Sequence, residues 1–329
     1  MSSPPAPRIK PPALRQGDTV GIVAPASHVS RGDLQAGCEA LRRVGYKPFY
    51  FDSILDRDLY FAGSVQRRAR ELEEMFSRDE VRAVVCARGG YGANHLLPVL
   101  DFEKVRAHPK IIVGYSDPTA LLTYCSDALG LVTFHGPMVA KDWGHDGGVD
   151  MASWLAALAD TAPWQPNLPA GSGASGLVDG MADGILYGGC LSILVASLGT
   201  PYEIKTAGTI LFLEDLAEKP YRIDRMLMQL KLAGKLANVR GIVFGEMLDC
   251  RQTAKAENQG YTLEEVVLRI VGDLGVPVAY GVRSGHVTSG NITLPIGVRA
   301  NLTVRGGQVI LKILESAVSA TGKKLARRR

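Results

Sequence analysis

The sequence predicts an α/β protein with a parallel sheet, and three observations lead to this prediction. Short apolar runs alternate with helical stretches from residue 19 onward. The composition, 46% hydrophobic and 21% charged residues, is close to that of an average globular protein. A chain of 329 residues is longer than one hydrophobic core usually serves, so we expect two domains.

The first half of the chain shows the order strand, helix, strand, helix, strand, which is typical of a parallel sheet covered by helices on both faces. The segments are TVGIVAP, GDLQAGCEALRRVGY, KPFYF, RRARELEEMFSRDE and VRAVVCA. Ser30 and Asp33 predict a capping box at the start of the first helix. Two further predicted strands, KIIVGY and GLVTFHG, flank a predicted helix, PTALLTYCSDAL.

Glycine and proline are concentrated between residues 144 and 182, around one short predicted helix, so we interpret this region as a passage between domains. The second half predicts a smaller mixed α/β unit. Its predicted helices are LSILVASLGT, RIDRMLMQLKLAGKL and TLEEVVLRIVGDLG, and its predicted strands are GTILFLED, VRGIVFGEM, VPVAYG, NITLPIG and ANLTVRGGQVILKIL. The predicted organisation is a proline-rich tail, a first domain, a passage, a second domain and a basic tail, at residues 1–17, 18–145, 146–182, 183–316 and 317–329.

Several classes of function are disfavoured. No apolar run approaches the roughly 18 residues that cross a bilayer, and residues 1–18 lack the apolar segment of a signal peptide, so we expect a cytoplasmic protein without a membrane partner. The five cysteines are widely spaced and odd in number, which argues against disulfides and a Cys-x-x-Cys metal site. The net charge of +4 comes partly from the terminal KKLARRR, and no basic stripe with interleaved aromatics predicts a nucleic-acid partner.

The stretch IIVGYSDPTALL places a serine at the corner between a predicted strand and a predicted helix. Ser116 follows the carboxyl end of the strand, which is where open α/β sheets bind ligands. Asp117 is a favoured N-cap residue and Pro118 suits the first helical position, so the partial positive charge of the helix N-terminus would stabilise an oxyanion there. The pattern resembles a nucleophile elbow, with proline in place of its second glycine. A capped turn without chemical function is the alternative.

A glycine-rich loop is predicted beside this corner. The segment CARGGYGANHLL follows the preceding strand, and Gly89, Gly90 and Gly92 would allow backbone N–H groups to converge on an anion. A flexible turn or a phosphate cradle are the alternatives, although the loop matches neither common nucleotide motif. If the two strands are parallel neighbours, this loop lies next to Ser116.

A serine of ordinary pKa needs a base, and the sequence offers one candidate with an acid to orient it. Of the six histidines, His286 lies in GVRSGHVTSGNITLPIG, a loop with nearby glycines between two predicted strands. Glu214 and Asp215 follow four apolar residues at the end of a predicted strand. Asp215 could cap a helix while Glu214 orients an imidazole, and the order serine, acid, histidine occurs in known hydrolases. A structural role for a loop histidine remains the alternative.

In combination, these segments are similar to the L,D-carboxypeptidase family, the serine peptidases of the muramoyl-tetrapeptide carboxypeptidase and microcin C immunity type. The matching segments are VAPAS, ARGGYGA, GYSDPTALL, FHGPM, LYGGCLSILVASLGTPYEI, LEDLAEKPYRIDRMLMQL and GHVTSGNITLPIG, in order from about residue 19 to 300. The resemblance implies a doubly wound, Rossmann- or flavodoxin-like amino-terminal domain with a parallel sheet, a smaller β-rich α/β carboxy-terminal domain, and a homodimer. One departure is Cys190, where the resemblance leads us to expect asparagine.

The resemblance also implies a role for individual residues. It makes Ser116 the nucleophile, His286 the general base and acid, and Glu214 the residue that orients His286. It assigns an oxyanion hole to the backbone N–H groups of Gly90 and Asp117. The active site would lie between the two domains, and the chemistry would require no metal and no cofactor.

The implied reaction is hydrolysis of the bond between an L-centre, diaminopimelate or lysine, and the terminal D-alanine of a peptidoglycan tetrapeptide, through an acyl-enzyme, as in peptidoglycan recycling. Arg88, Tyr91 and Arg222 are candidates for substrate contacts, because a carboxypeptidase must hold a free carboxylate. Arg88 could instead order the glycine loop, and Arg222 could pair with Asp224 or Glu218 on a helix.

Two other functions stay open from the sequence. One is a microcin-immunity-like amidase that cleaves aminoacyl-nucleotide conjugates, in which Trp143 could stack on adenine; that residue could equally anchor a surface loop. The other is a non-catalytic α/β protein whose glycine loop binds an anion.

Overall fold

A computed structural model describes residues 8–168, 173–251 and 260–320 of the chain. Parts of the predicted proline-rich tail, of the glycine-rich passage and of the predicted basic tail lie outside the described residues, at 1–7, 169–172 and 321–329. Within the described ranges, no helix combines the length and the apolar character that crossing a membrane requires. The five cysteines all lie in these ranges, where they are buried and free.

The described residues form thirteen strands and eight α-helices. The strands are β1 (Thr19–Val23), β2 (Lys47–Phe49), β3 (Val81–Cys86), β4 (Ile111–Gly114), β5 (Thr133–His135), β6 (Ser175–Val178), β7 (Gly180–Cys190), β8 (Thr209–Glu214), β9 (Gly241–Gly245), β10 (Val278–Val282), β11 (Leu294–Ile296), β12 (Val298–Arg305) and β13 (Gln308–Ile313). The α-helices are α1 (Arg31–Arg43), α2 (Val65–Ser77), α3 (Phe102–Ala107), α4 (Thr119–Leu129), α5 (Met151–Leu158), α6 (Leu191–Ala196), α7 (Pro220–Leu232) and α8 (Leu263–Val271).

The first sheet has the strand order β11-β5-β4-β3-β1-β2. The five strands from the first half of the chain are parallel, which confirms the prediction from the alternating pattern. At the start of α1, the Ser30 side chain accepts a hydrogen bond from the backbone N–H of Asp33 at 3.1 Å, so the predicted cap is present. Because β3 and β4 are parallel neighbours, the glycine-rich loop and Ser116 leave the same edge of this sheet.

The second sheet has the order β13-β12-β7-β8-β9-β10-β6. The strand NITLPIG was predicted in the second unit, and this prediction is wrong, since β11 pairs antiparallel with β5 in the first sheet. The partner of a strand is decided by long-range pairing, which a local apolar pattern does not encode. The predicted passage at 146–182 contains α5, β6 and the start of β7.

The two sheets share one hydrophobic core. Val113 and Phe134 of the first sheet and Phe212 and Val243 of the second belong to the same cluster of buried side chains, each fully buried. Because apolar packing is continuous between the sheets, the strand ends of both are held in a fixed relation. The ends of β4 and β8 therefore face one cleft.

Candidate active site

Ser116 has a backbone conformation that a serine rarely adopts. Its φ of +62° lies in the left-handed region, which costs a residue with a Cβ roughly 1–2 kcal/mol. The residue lines a cleft of about 550 Å³ to which both halves of the chain contribute, with Gly89, Gly90 and His286 among the lining residues. A strained serine between a strand and a helix is the arrangement of a nucleophile elbow, where the turn exposes the hydroxyl.

The glycine loop packs directly against this serine. A Cβ on Gly89 would lie 2.7 Å from the Cβ of Ser116, and a Cβ on Gly90, whose φ is +105°, would collide with the Ser27 side chain. Side chains are therefore excluded at both positions. The backbone N–H groups of Gly90 and Asp117 donate no hydrogen bond to another residue in the described part of the chain. Two unpartnered donors thus belong to the two segments that pack together at the serine.

Asp117 does not cap the following helix, contrary to the sequence-based prediction. The helix begins at Thr119 with Pro118 at the cap position, and no side chain caps it. The Asp117 carboxylate is fully buried and instead accepts a hydrogen bond from the backbone N–H of Ala93 at 2.6 Å. Burial raises its pKa to about 6. Asp117 therefore ties the serine corner to the glycine loop, which a local reading of the helix start could not reveal.

Glu214 and His286 form a buried carboxylate–imidazole pair. Oε2 of Glu214 accepts hydrogen bonds from Nδ1 of His286 at 2.7 Å and from its backbone N–H at 3.0 Å. The Glu214 side chain is fully buried, while that of His286 is 11% exposed and lines the cleft. Because Nδ1 is held by the carboxylate, Nε2 is the ring nitrogen that can act on a group in the cleft.

The electrostatics of this pair favour a charged imidazole. Burial by itself lowers the pKa of His286, but the adjacent Glu214 carboxylate more than offsets this and raises the pKa above its ordinary value. Burial likewise opposes the charge of Glu214, yet His286 and His135 hold the pKa of this carboxyl well below its usual range. The arrangement would stabilise the imidazolium that forms when a base accepts a proton from serine.

Tyr115 connects the serine corner to the histidine. Its ring packs edge-on against the imidazole of His286, with ring centroids 5.0 Å apart, and its hydroxyl donates to Asp142 at 3.3 Å. Since Tyr115 directly precedes Ser116, this contact brings the histidine and the serine to the same cleft. No hydrogen bond joins Ser116 to His286 in the described residues, although both line the same cleft.

The histidine loop is held by a polar network that the sequence analysis missed. Asn291 accepts from the backbone N–H of Gly285 at 3.0 Å and donates to its carbonyl at 3.1 Å and to Asp142 at 3.3 Å. Asp142 is buried, and burial raises its pKa to about 6. The sequence signal was a polar Asn291 at the start of the segment NITLPIG. The network fixes the residue next to His286.

The two arginine candidates occupy different places. Arg88 lines the cleft and donates a hydrogen bond to the His28 carbonyl at 3.2 Å. Arg222 pairs with Glu218 at 3.4 Å, with its side chain 49% exposed, and does not line the cleft. The structure therefore brings Arg88, but not Arg222, to the serine.

The aromatic candidates lie outside the cleft. Tyr91 is exposed, with its ring centroid 5.9 Å from those of Tyr60 and Phe61, and it is not a lining residue. Trp143 is neither a stacking surface nor a surface anchor, because it is buried and packs edge-on against Trp154 at 4.9 Å. Trp143 is buried because it packs against apolar residues in the fold, although the loop sequence next to it is polar.

Cys190, at the position where asparagine was expected, is a buried residue of the cleft wall. Its backbone N–H donates to the Thr119 hydroxyl at 3.2 Å, and burial raises the pKa of its thiol well above the ordinary value. In the described part of the chain, no three His, Cys, Asp or Glu side chains cluster closely enough to hold a metal ion.

Comparison with known proteins identifies the family. The chain is 40% identical, over 88% of its own length and 90% of the relative's, to the probable murein peptide carboxypeptidase of Bacillus subtilis (strain 168). It also matches the models of the LD-carboxypeptidase N-terminal domain at residues 20–136 and the LD-carboxypeptidase C-terminal domain at residues 183–302. The chain belongs to the LD-carboxypeptidase family. The resemblance inferred from the sequence segments is confirmed, and the membership indicates a hydrolase of the carboxypeptidase type.

Two solved structures are similar to this chain over more than nine-tenths of its length. MccF in complex with glutamyl sulfamoyl guanosine superimposes with a TM-score of 0.85 at 26% identity, covering 94% of this chain and 99% of that one. The muramoyltetrapeptide carboxypeptidase of Oxalobacter formigenes superimposes with a TM-score of 0.78 at 30% identity, covering 91% and 99%. The predicted two-part α/β architecture is thereby confirmed.

Proposed function

We propose that this member of the LD-carboxypeptidase family is a serine L,D-carboxypeptidase that hydrolyses the bond between an L-centre, diaminopimelate or lysine, and the terminal D-alanine of a murein tetrapeptide. The observation that carries the proposal is geometric: Ser116, at a left-handed corner, shares a cleft with His286, whose Nδ1 is bonded to the buried Glu214. The homologue named murein peptide carboxypeptidase supports the substrate class.

In this mechanism Ser116 is the nucleophile and His286 the general base. The serine oxygen attacks the peptide carbonyl while Nε2 of His286 accepts its proton, and Glu214 stabilises the imidazolium that results. The tetrahedral oxyanion would accept hydrogen bonds from the unpartnered N–H groups of Gly90 and Asp117. The imidazolium then protonates the departing amine of D-alanine, and water, activated by the same histidine, hydrolyses the acyl-enzyme.

The charges of the cleft suit a substrate with groups of both signs. Arg88 and Lys141 line it together with Asp33, Asp215 and Glu218. Arg88 would bind the terminal carboxylate of the peptide, because a guanidinium forms paired hydrogen bonds with a carboxylate. The acidic side chains would face the ammonium group that diaminopimelate or lysine carries. A purely anionic ligand would offer no partner to the three acidic side chains, and a purely apolar ligand would offer none to any of these charges.

The decisive experiment is mass spectrometry of L-Ala-γ-D-Glu-meso-diaminopimelate-D-Ala incubated with the native protein and with Ser116→Ala. We expect the native protein to release one alanine and the variant to release none, with unchanged folding by circular dichroism. Equal release by both proteins would sink the assignment of the nucleophile. No release by a folded native protein would exclude this substrate.

The second candidate function is an amidase that cleaves aminoacyl-nucleotide conjugates. It is supported by the structural match to MccF bound to glutamyl sulfamoyl guanosine. The buried Trp143 offers no stacking face for a base, so the described cleft gives the peptide substrate the stronger support. Incubation with an aspartyl sulfamoyl adenosine discriminates between the two, because only the amidase would release aspartate.

A non-catalytic anion-binding role is the third alternative, and a fluorophosphonate probe distinguishes it. Such a probe should label Ser116 in the native protein, whereas a serine without an activating base stays unlabelled. Labelling that persists in Ser116→Ala would place the reactive serine elsewhere.

We further propose a cytoplasmic homodimer. Five buried, unpaired cysteines in the described chain support a reducing compartment. The dimer rests on the family resemblance. Cell fractionation and light scattering test these two points.

A further inference from the structure

The second oxygen of the Glu214 carboxylate faces another histidine. Oε1 of Glu214 lies 3.5 Å from Nε2 of His135, and both side chains are 0% exposed. Among the described residues, neither atom has any other hydrogen-bond partner. Buried polar atoms are almost always paired, so two orphaned atoms that face each other at this distance point to an interaction between them.

The other nitrogen of His135 contacts a serine hydroxyl. Nδ1 lies 3.1 Å from the hydroxyl oxygen of Ser284, which in turn lies 2.8 Å from the carbonyl oxygen of Ile292. If the hydroxyl donates to the carbonyl, the neutral ring carries its hydrogen on Nδ1. If it donates to Nδ1, the neutral ring carries its hydrogen on Nε2, directed at Oε1 of Glu214. The second arrangement leaves neither of the two facing atoms unpartnered, and we adopt it for this reason.

The surroundings of this contact are closed. A Cβ on Gly285 would lie 2.7 Å from Cε1 of His135 and 2.5 Å from the carboxyl carbon of Glu214. The ring of Phe212 packs edge-on against His135, with centroids 5.0 Å apart. Bulk water therefore has no access to Oε1. His135 is the available donor among the described side chains.

His135 also connects the two sheets. It ends β5, where it pairs with Gly114 of β4, two residues before Ser116. Glu214 ends β8 of the second sheet. The first sheet, which carries Ser116, thus also supplies the His135 side chain that faces Glu214, the acid proposed to orient the base.

We propose that His135 is a positioning residue that donates its Nε2–H to Oε1 of Glu214 and thereby holds Oε2 against His286. The proposal rests on the function proposed above, in which His286 is the base. Without this donor, the carboxylate would retain a buried, unpartnered oxygen and could rotate or take up a proton. Either change would weaken its hold on the imidazolium.

The test compares three substitutions that place donors differently. The amide N–H of Gln reaches the position of Nε2 and that of Asn the position of Nδ1, while Leu has no donor. We expect His135→Gln to retain kcat within a few-fold, and His135→Asn and His135→Leu to lose about 10- to 100-fold, as other outer-shell partners do. Because His135 does not line the cleft, KM should stay constant.

Thr133→Val is the matched control. Thr133 lies in the same strand, is equally buried and donates a hydrogen bond to the Leu122 carbonyl at 3.1 Å, away from Glu214. This variant should lower the unfolding temperature as the His135 variants do, while its kcat remains native. Such a result would separate positioning from general loss of stability.

The outcomes are distinguishable. A native protein that cleaves the tetrapeptide through Ser116 but tolerates His135→Leu without loss of kcat would overturn the positioning role and leave the proposed function intact. Equal losses in His135→Gln and His135→Leu would also overturn it, because rescue by a donor would be missing. A native protein that neither cleaves nor labels with fluorophosphonate would reject the proposed function itself.

Discussion

The two sides of the cleft are built in different ways. The serine side comes from two adjacent parallel strands, β3 and β4, with the glycine loop and Ser116 following them directly. The acid–base side joins Glu214 to His286, 72 residues apart in the sequence. The first side is fixed by backbone conformation, with Ser116 at φ +62° and Gly90 at φ +105°. The second side is fixed by buried charges and hydrogen bonds.

This difference predicts different sensitivities. The serine side, which depends on backbone conformation, should lose activity when a side chain is added where there is no space for it. It should tolerate changes of nearby charge. The side formed by Glu214 and His286, which depends on charges and hydrogen bonds, should lose activity when a proton donor or acceptor is removed, even if the replacement has the same shape. Substitutions on the two sides of the cleft should therefore differ in their effects on activity.

Removal of the base should have the largest effect. In the proposed mechanism His286→Ala deprives Ser116 of its proton acceptor, and we expect kcat to fall by about 10⁶, as for members of a catalytic triad that act as a unit. Alanine release measured by mass spectrometry checks this. The control is His108→Ala, since His108 is an exposed residue at the end of α3 and should be replaceable without loss. Comparable activity of the two variants would reject His286 as the base.

Glu214→Gln keeps the shape of the acid and removes its charge, and we expect kcat to fall by about 10⁴, as for the equivalent change in a serine protease. The pH profile gives a second readout. In the native protein the pKa of His286 is raised, so kcat/KM should climb with pH through a value above 6.5 as the imidazole becomes neutral.

Without the carboxylate charge, burial lowers the pKa of His286 against only the smaller opposing effects of Asp215 and Asp142, so the rising limb of residual kcat/KM should move to lower pH in Glu214→Gln. Measurement of kcat/KM from pH 5 to 9 in both proteins tests the direction. A limb that stays in place, or moves upward, would show that Glu214 does not set the charge of His286.

Gly90→Ala tests the serine side. The new Cβ would collide with Ser27 and displace the loop, so we expect a loss of about 100- to 1000-fold in kcat, comparable to the loss of one oxyanion donor. Gly17→Ala is the matched control: its φ is +87°, but a Cβ there meets no atom within 4 Å. Both variants carry left-handed strain, and only Gly90→Ala should lose activity. Native kcat in Gly90→Ala would disprove the role of this loop.

The smallest expected effect concerns the substrate carboxylate. Arg88→Gln should raise KM by about 10-fold, the equivalent of one hydrogen bond to a charged group, with little change in kcat. Arg222→Gln should leave both constants near native, because Arg222 does not line the cleft. Initial rates over a range of tetrapeptide concentrations measure this. The reverse pattern would reassign the carboxylate site to Arg222.

What the sequence revealed follows this same division. The serine corner could be predicted because its strand, its turn and its helix are contiguous, and because parallel neighbours bring the glycine loop to the same sheet edge. His286 and Glu214 could be named as candidates from loop glycines and a strand end, but their contact at 2.7 Å depends on the fold. His135 gave no local signal, since an isolated histidine after an apolar run has many structural uses.

The sequence by itself determined the elements with short-range causes: the alternation of strands and helices, the Ser30 cap, and a serine at the carboxyl end of a strand. Only the tertiary structure decided which sheet β11 joins, the pairing of the Asp117 carboxylate with Ala93, and the contact of His135 with Glu214. The physical reason is that burial and pairing of polar groups are properties of distant segments packed together. A local sequence pattern indicates which secondary structure a segment can form, whereas tertiary packing determines which distant residue becomes its hydrogen-bond partner.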